Sequence, residues 1–167
     1  MRIAKQLTVH APLARVWKII AEDYDQVGAW ASAVATSREN TQATSVNGSP
    51  VGGRICETTL GPFKETIRRY SPAEKLLEYS ATGEKMPFFV RGLRGRWQLT
   101  DAGAHATRVS LEFNASLMFP FSLLMGWMMR IQFSKAINTT LEELVHYAQT
   151  GKIHARKVAL LAAATRR

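Results

Sequence analysis

The chain has 167 residues, 46% of them hydrophobic, and a formal net charge of +9, which allows one buried core and is short for two domains. A single cysteine, Cys56, excludes an intrachain disulfide framework and fits a reducing, cytoplasmic setting. The stretch FPFSLLMGWMMRIQF, Phe119 to Phe133, is broken by Pro120 and Gly126 and reaches Arg130 before the roughly 20 apolar residues of a membrane span, so no transmembrane helix is expected.

The opening RIAKQLTVHA alternates and carries charge, which fits a strand and lacks the apolar run of a signal peptide. Pro12 then suits the first turn of a helix through PLARVWKIIAEDY, with Leu13, Val16, Trp17 and Ile20 on one face. A second helical piece, YDQVGAW, follows. From Val34 to Leu117 short runs alternate with turns: VNGSPVGG is a turn, RICETTL and FKETIRRY are strands about a Gly-Pro turn, then come KLLEYSA, FFVRGLRGRWQLT and TRVSLEFNASL. From about Phe121 the pattern turns helical, with Leu124, Met128, Ile131, Ile137, Leu141, Leu144, Val145 and Ala148 in one stripe and Gly151 as the stop.

This order predicts an α+β fold, a curved antiparallel sheet of about six or seven strands around one long C-terminal helix. The first half of that helix is apolar nearly all round, so it needs a second apolar contact: a cavity, a partner or lipid. Charge is also uneven. Residues 1–90 hold 11 Lys/Arg against 9 Asp/Glu, and residues 91–167 hold 11 against 4. The end, KIHARKVALLAAATRR, is basic and has no acid; it reads as a soluble face and a loosely ordered tail.

LTVHAPLARVWKIIAEDYDQVGAW, PVGGRICETTLGPFKETIRRYSPAEKLLEYS, TRVSLEF and GKIHARK, taken in order, resemble the START-like (SRPBCC, helix-grip) superfamily. That superfamily includes polyketide cyclase/dehydrase-like proteins, the major birch pollen allergen and the plant abscisic-acid receptors. The resemblance implies a ligand-binding domain over residues 1–157, followed by a basic tail, 158–167. It also implies a ligand held between sheet and long helix, with Trp30, Cys56, Thr58, Glu65, Tyr79, Ala81 and Phe113 as lining positions, and Met129, Phe133 and Ile137 facing the ligand from the helix. Leu60 to Phe63 lies where the receptors have a gate loop, and is shorter.

Two charged residues carry the candidate chemistry. Glu65 alternates with Phe63 and Ile67, and a carboxylate on an apolar face either has a raised pKa or is held by a cation such as Arg54 or Arg91. Arg91 shares parity with Leu93, Trp97 and Leu99, which places it inward to grip a carboxylate or enolate. A bulge at Gly92 or Gly95 instead turns it to solvent.

His10, His105, His146 and His154 have no metal-ligand spacing, and no metal or cofactor is expected. RGLRGRW lies in a strand pattern and matches no RNA-binding motif, so no nucleic-acid partner is expected. The first functional reading is therefore a carrier of a small hydrophobic ligand: a lipid, isoprenoid or aromatic polyketide. The second is a polyketide cyclase or dehydratase using Glu65 and Arg91 in the same cavity. A third is peripheral membrane contact through the Phe119–Met129 rim and the basic tail.

Overall fold

The computed structural model describes residues 1–165. Strand β1 (Arg2–Val9) buries Ile3 and Val9 through its alternation. After Pro12 comes α1 (Leu13–Trp17), which widens into a π turn over Lys18–Glu22 and is followed by a 3₁₀ turn over Tyr24–Ala29. Together these bury Val16, Trp17, Ile20, Tyr24 and Val27 against the sheet.

Six strands follow: β2 (Thr36–Glu39), β3 (Gly53–Thr58), β4 (Gly61–Ser71), β5 (Leu76–Gly83), β6 (Val90–Asp101) and β7 (Thr107–Leu117). Every pairing is antiparallel, in the order β1-β7-β6-β5-β4-β3-β2, so β2 to β7 form a meander and β1 closes against its end. Antiparallel neighbours need only short connections, which matches the regular spacing of turn residues in the sequence.

The C-terminal helix comes in two pieces, a single turn α2 (Phe121–Leu124) and then α3 (Gly126–Thr150), which Gly151 ends in the left-handed conformation at φ 72°. Helix α3 buries Leu141, Leu144 and Ala148 in the main core, with β1, β7 and the α1 segment. A second cluster, at the other end of the sheet, joins Ile3, Phe89, Leu93, Phe113, Ala115 and Met129.

Beyond Gly151 the expected loose tail is instead a helix, α4 (Ala155–Thr165), which crosses the expected boundary at residue 157. Two causes are visible. ARKVALLAAAT is rich in strong helix formers, and the His154 Nδ1 accepts a hydrogen bond from the Arg156 N–H at the helix start. Lys157 fixes the helix to the body: its fully buried side chain donates to the carbonyls of Val34 and Ala35 at 2.7 and 3.1 Å. The last two residues of the expected tail, 166 and 167, lie outside the described residues.

Candidate functional site

The fold leaves a cavity of about 180 Å³ between the concave face of the sheet, the α1 segment and α3. The sheet supplies Arg54, Glu65, Tyr79, Trp97, Leu111 and Phe113. The π turn, the 3₁₀ turn and the loop after it supply Ile19, Ile20, Val27, Trp30, Ala31 and Val34. Helix α3 closes the remaining side with Ala136, Ile137 and Thr140, and the exposed Ala136 shows that the cavity reaches the surface beside this helix. The volume lies below the roughly 300–1,000 Å³ of most small-molecule pockets.

The charged and phenolic groups of the cavity gather at one corner, with Thr140 on the α3 side. Register places Arg54 of β3 opposite Glu65 of β4, and Arg54 Nε donates to Glu65 Oε2 at 2.7 Å. The Tyr24 hydroxyl donates to the same oxygen at 2.5 Å. Arg54 Nη1 donates to the Tyr24 carbonyl at 2.8 Å, and its guanidinium carbon lies 4.1 Å from the centre of the Tyr24 ring. Both charged side chains are only 12% exposed. The alternation of Phe63, Glu65 and Ile67 therefore does point Glu65 inward, and a cation holds it there.

Burial works against the charge on Arg54, but Glu65 and then Tyr24 outweigh it and hold the guanidinium above its ordinary pKa. Burial and then the Glu65 charge push the Tyr24 and Tyr79 phenols upward, with Arg54 pulling the other way. Both tyrosines are consequently protonated donors at neutral pH. Tyr79 reaches its place because the opposite residue is Gly95, where a Cβ would fall 2.2 Å from the Tyr79 Cζ.

Of the residues expected at the site, the cavity brings together Trp30, Glu65, Tyr79, Phe113 and Ile137. Cys56 is buried beside them without lining the space, and burial pushes its thiol up to about 12. The Thr58 hydroxyl is spent locally, donating to the Gly61 carbonyl of the β3–β4 turn. Ala81, Met129 and Phe133 belong to the second core cluster, where the Phe113 and Phe133 rings lie 5.0 Å apart. That cluster fills the space between the cavity and the Met-rich end of α3.

Arg91 is not at the site. The register slips between Val90 and Gly92, so Val90 and Leu93 are both buried while Arg91 is exposed. The bulge leaves an extra residue on the strand and removes Arg91 from the inward face. Apart from Trp30, the apolar residues that the α1 segment and its following loop supply, Ile19, Ile20, Val27, Ala31 and Val34, were not among the expected lining. Their signal, Ile19-Ile20 and Val27 in a helical pattern, reads as ordinary core, and only the tertiary placement makes it a cavity wall.

The arrangement is therefore an apolar chamber with one preorganised polar corner, and among the described residues no group of three or more His, Cys, Asp or Glu side chains could hold a metal ion. Similar folds have been solved. A START superfamily protein from Mycobacterium smegmatis is 13% identical at a TM-score of 0.73, over 90% of this chain and 99% of that one. The Zhui aromatase/cyclase from Streptomyces sp. R1128 is 14% identical at 0.67, over 89% and 93%. The di-domain aromatase/cyclase BexL, of the BE-7585A biosynthetic pathway, is 12% identical at 0.67, this chain spanning 45% of it. Comparison with curated protein sequences gave no match. The sequence profile of one family matches residues 1–149, nearly the whole body up to the end of α3, and the chain belongs to that family, polyketide cyclase / dehydrase and lipid transport.

Proposed function

We propose that the protein binds a compact, largely apolar ligand carrying one polar end, a phenol or ring carbonyl, in the cavity between sheet and α3. The observation that carries this reading is the lining itself: apolar on nearly every side, with Arg54, Glu65 and Tyr79 together at one corner. Glu65 Oε2 already accepts two hydrogen bonds, while Glu65 Oε1, Arg54 Nη2 and the Tyr79 hydroxyl make none within the described residues. Those atoms stay accessible from the cavity, since Trp17 Nε1 is the only buried side-chain nitrogen or oxygen without a partner among the described residues, and a ligand's polar end can take the place of water on them. Chain-like ligands fit poorly, because the second core cluster occupies the space a long tail needs.

Binding is favoured over turnover by the state of Glu65. A carboxylate locked to a guanidinium and a phenol is a positioned anchor, and Arg91, the expected catalytic partner, is on the outer surface. Cyclase-type chemistry on this cavity would have to rely on the Tyr79 and Arg54 donors to stabilise a developing oxyanion. Titration with anilinonaphthalene sulfonate tests the reading. Ile137→Trp fills the chamber from α3 and is expected to abolish the cavity's share of the fluorescence gain, whereas Trp127→Ser is expected to lower only the share of the exposed rim. Equal binding by the filled variant would remove the cavity as the site.

A further inference from the structure

One end of the molecule carries large apolar side chains that the fold leaves in water. Phe119, Leu123, Leu124, Trp127 and Ile131, on the β7–α2 connection, α2 and the start of α3, are between 60 and 78% exposed. Phe88, in the β5–β6 loop, joins them: it is 75% exposed, and its ring meets Phe121 edge-on at 5.3 Å. The tip of the β3–β4 hairpin completes the rim. There Leu60 is exposed, and the Lys85 stem lies 3.3 Å from where a Gly61 Cβ would sit, so this tip meets the β5–β6 loop that carries Phe88.

Six or seven such side chains form a patch on the order of several hundred Å², at or above the roughly 300–600 Å² that is the largest on most monomers. Its charges have one dominant sign. The segments that build it, residues 60–64, 84–91 and 118–135, contain five basic residues and one acid, Glu84. Lys64, Lys85, Arg91, Arg130 and Lys135 are all exposed. No acidic residue occurs from 113 to 141.

We propose that this rim docks on an anionic lipid bilayer, with Phe119, Leu123 and Trp127 entering the headgroup–acyl boundary and the basic collar facing the phosphates. Three physical arguments select lipid over a protein partner. Aromatic and leucine side chains presented from α2, the start of α3 and the neighbouring loops match an interface that accepts any shape, and Trp is favoured at that depth. A near-uniform basic collar matches a near-uniform anionic surface. The net charge of +9 also draws the whole molecule toward such a surface. No helix among the described residues is long and apolar enough to cross the membrane, so the contact is peripheral. This proposal does not depend on the cavity reading, because the rim and the chamber are separated by the second core cluster.

Co-sedimentation with vesicles of phosphatidylcholine containing about one-third phosphatidylglycerol, against phosphatidylcholine alone, tests it. Trp127 also reports directly, since Trp17, Trp30 and Trp97 are buried. Wild type is expected to sediment with the anionic vesicles, with its emission moving to the blue, and to be released by salt. Burying one such side chain is worth about tenfold in partitioning, so Leu123→Ser with Trp127→Ser should weaken it about 100-fold. Arg130→Glu should lower binding to the anionic vesicles by about fivefold or more and leave the neutral ones unaffected. Circular dichroism and melting confirm that each variant folds. The proposal is overturned if wild type stays in the supernatant, or if the double variant sediments as well as wild type. It is equally overturned if the blue shift appears on concentrating the protein without lipid, which would make a second copy the occupant. None of these results bears on probe binding by Ile137→Trp, so the cavity reading stands or falls separately.

Discussion

The two ends of α3 invert the usual relation between polarity and burial. Toward its C-terminus, Glu143 is fully buried: its carboxylate accepts from the Ser32 N–H at 2.7 Å, the Ser32 hydroxyl at 2.6 Å and Arg156 Nε at 3.0 Å. Toward its N-terminus, Trp127 and Ile131 stand in water. The buried acid joins three segments, the loop after the 3₁₀ turn, α3 and α4, while Lys157 pins the same loop from the α4 side. Ala31 and Val34 of that loop are cavity wall. Polar groups are thus buried where the chamber must be held in shape, and apolar groups are exposed where the fold supplies no cover.

The comparison breaks most visibly at Glu65. Glu65→Gln leaves the Arg54 guanidinium buried without its counter-charge, and is expected to lower stability by about 3–5 kcal/mol in urea denaturation. Replacing both partners, Arg54→Leu with Glu65→Leu, should recover much of that loss, because no charge is then stranded. A Glu65→Gln variant as stable as wild type would mean that the corner is solvated and not preorganised. Glu143→Gln keeps one acceptor and is expected to cost about 1–3 kcal/mol through its weakened bonds to Ser32 and Arg156. Protease cleavage near residues 31–35 should rise in the same variant.

Alkali probes the polar corner of the cavity by titration. Tyr24 and Tyr79 have folded pKa values above that of a free phenol, about 10. Their contribution is complete below that pH and is lost as pH rises toward the folded values, because the unfolded chain releases its phenolic protons first. The urea midpoint should fall between about pH 10 and 11, and Tyr79→Phe should flatten part of that fall. The smallest stability effect belongs to the rim: Leu123→Ser or Trp127→Ser should change unfolding free energy by no more than about 0.5 kcal/mol, since both side chains are already in water. A loss of several kcal/mol there would show that the rim is packed in solution.

Element order was legible because alternation and turn residues speak locally. TRVSLEFNASL alone delimits β7, and Phe63-Glu65-Ile67 gives the inward face of β4. The Arg54–Glu65 pairing was open in the sequence, because only register across the β3–β4 hairpin chooses Arg54 over Arg91. Arg91 itself was lost to a one-residue bulge, which no periodicity reveals. Met129 and Phe133 do face inward, but whether an inward residue lines a void or fills it depends on packing across the sheet, and here they fill it. Helix α4 hid behind its charge: its alanine and leucine content was the signal, and the run of basic residues drew the reading toward a tail.

The central claim, a chamber that takes a compact ligand by its polar end, is tested most directly by thermal melting with added naphthol. A ligand that binds only the native state raises its stability in proportion to the logarithm of its concentration. Wild type is expected to melt higher as naphthol is added, with the shift reduced in Tyr79→Phe and absent in Ile137→Trp. An unchanged melting temperature for wild type, or an equal shift in Ile137→Trp, would contradict the account.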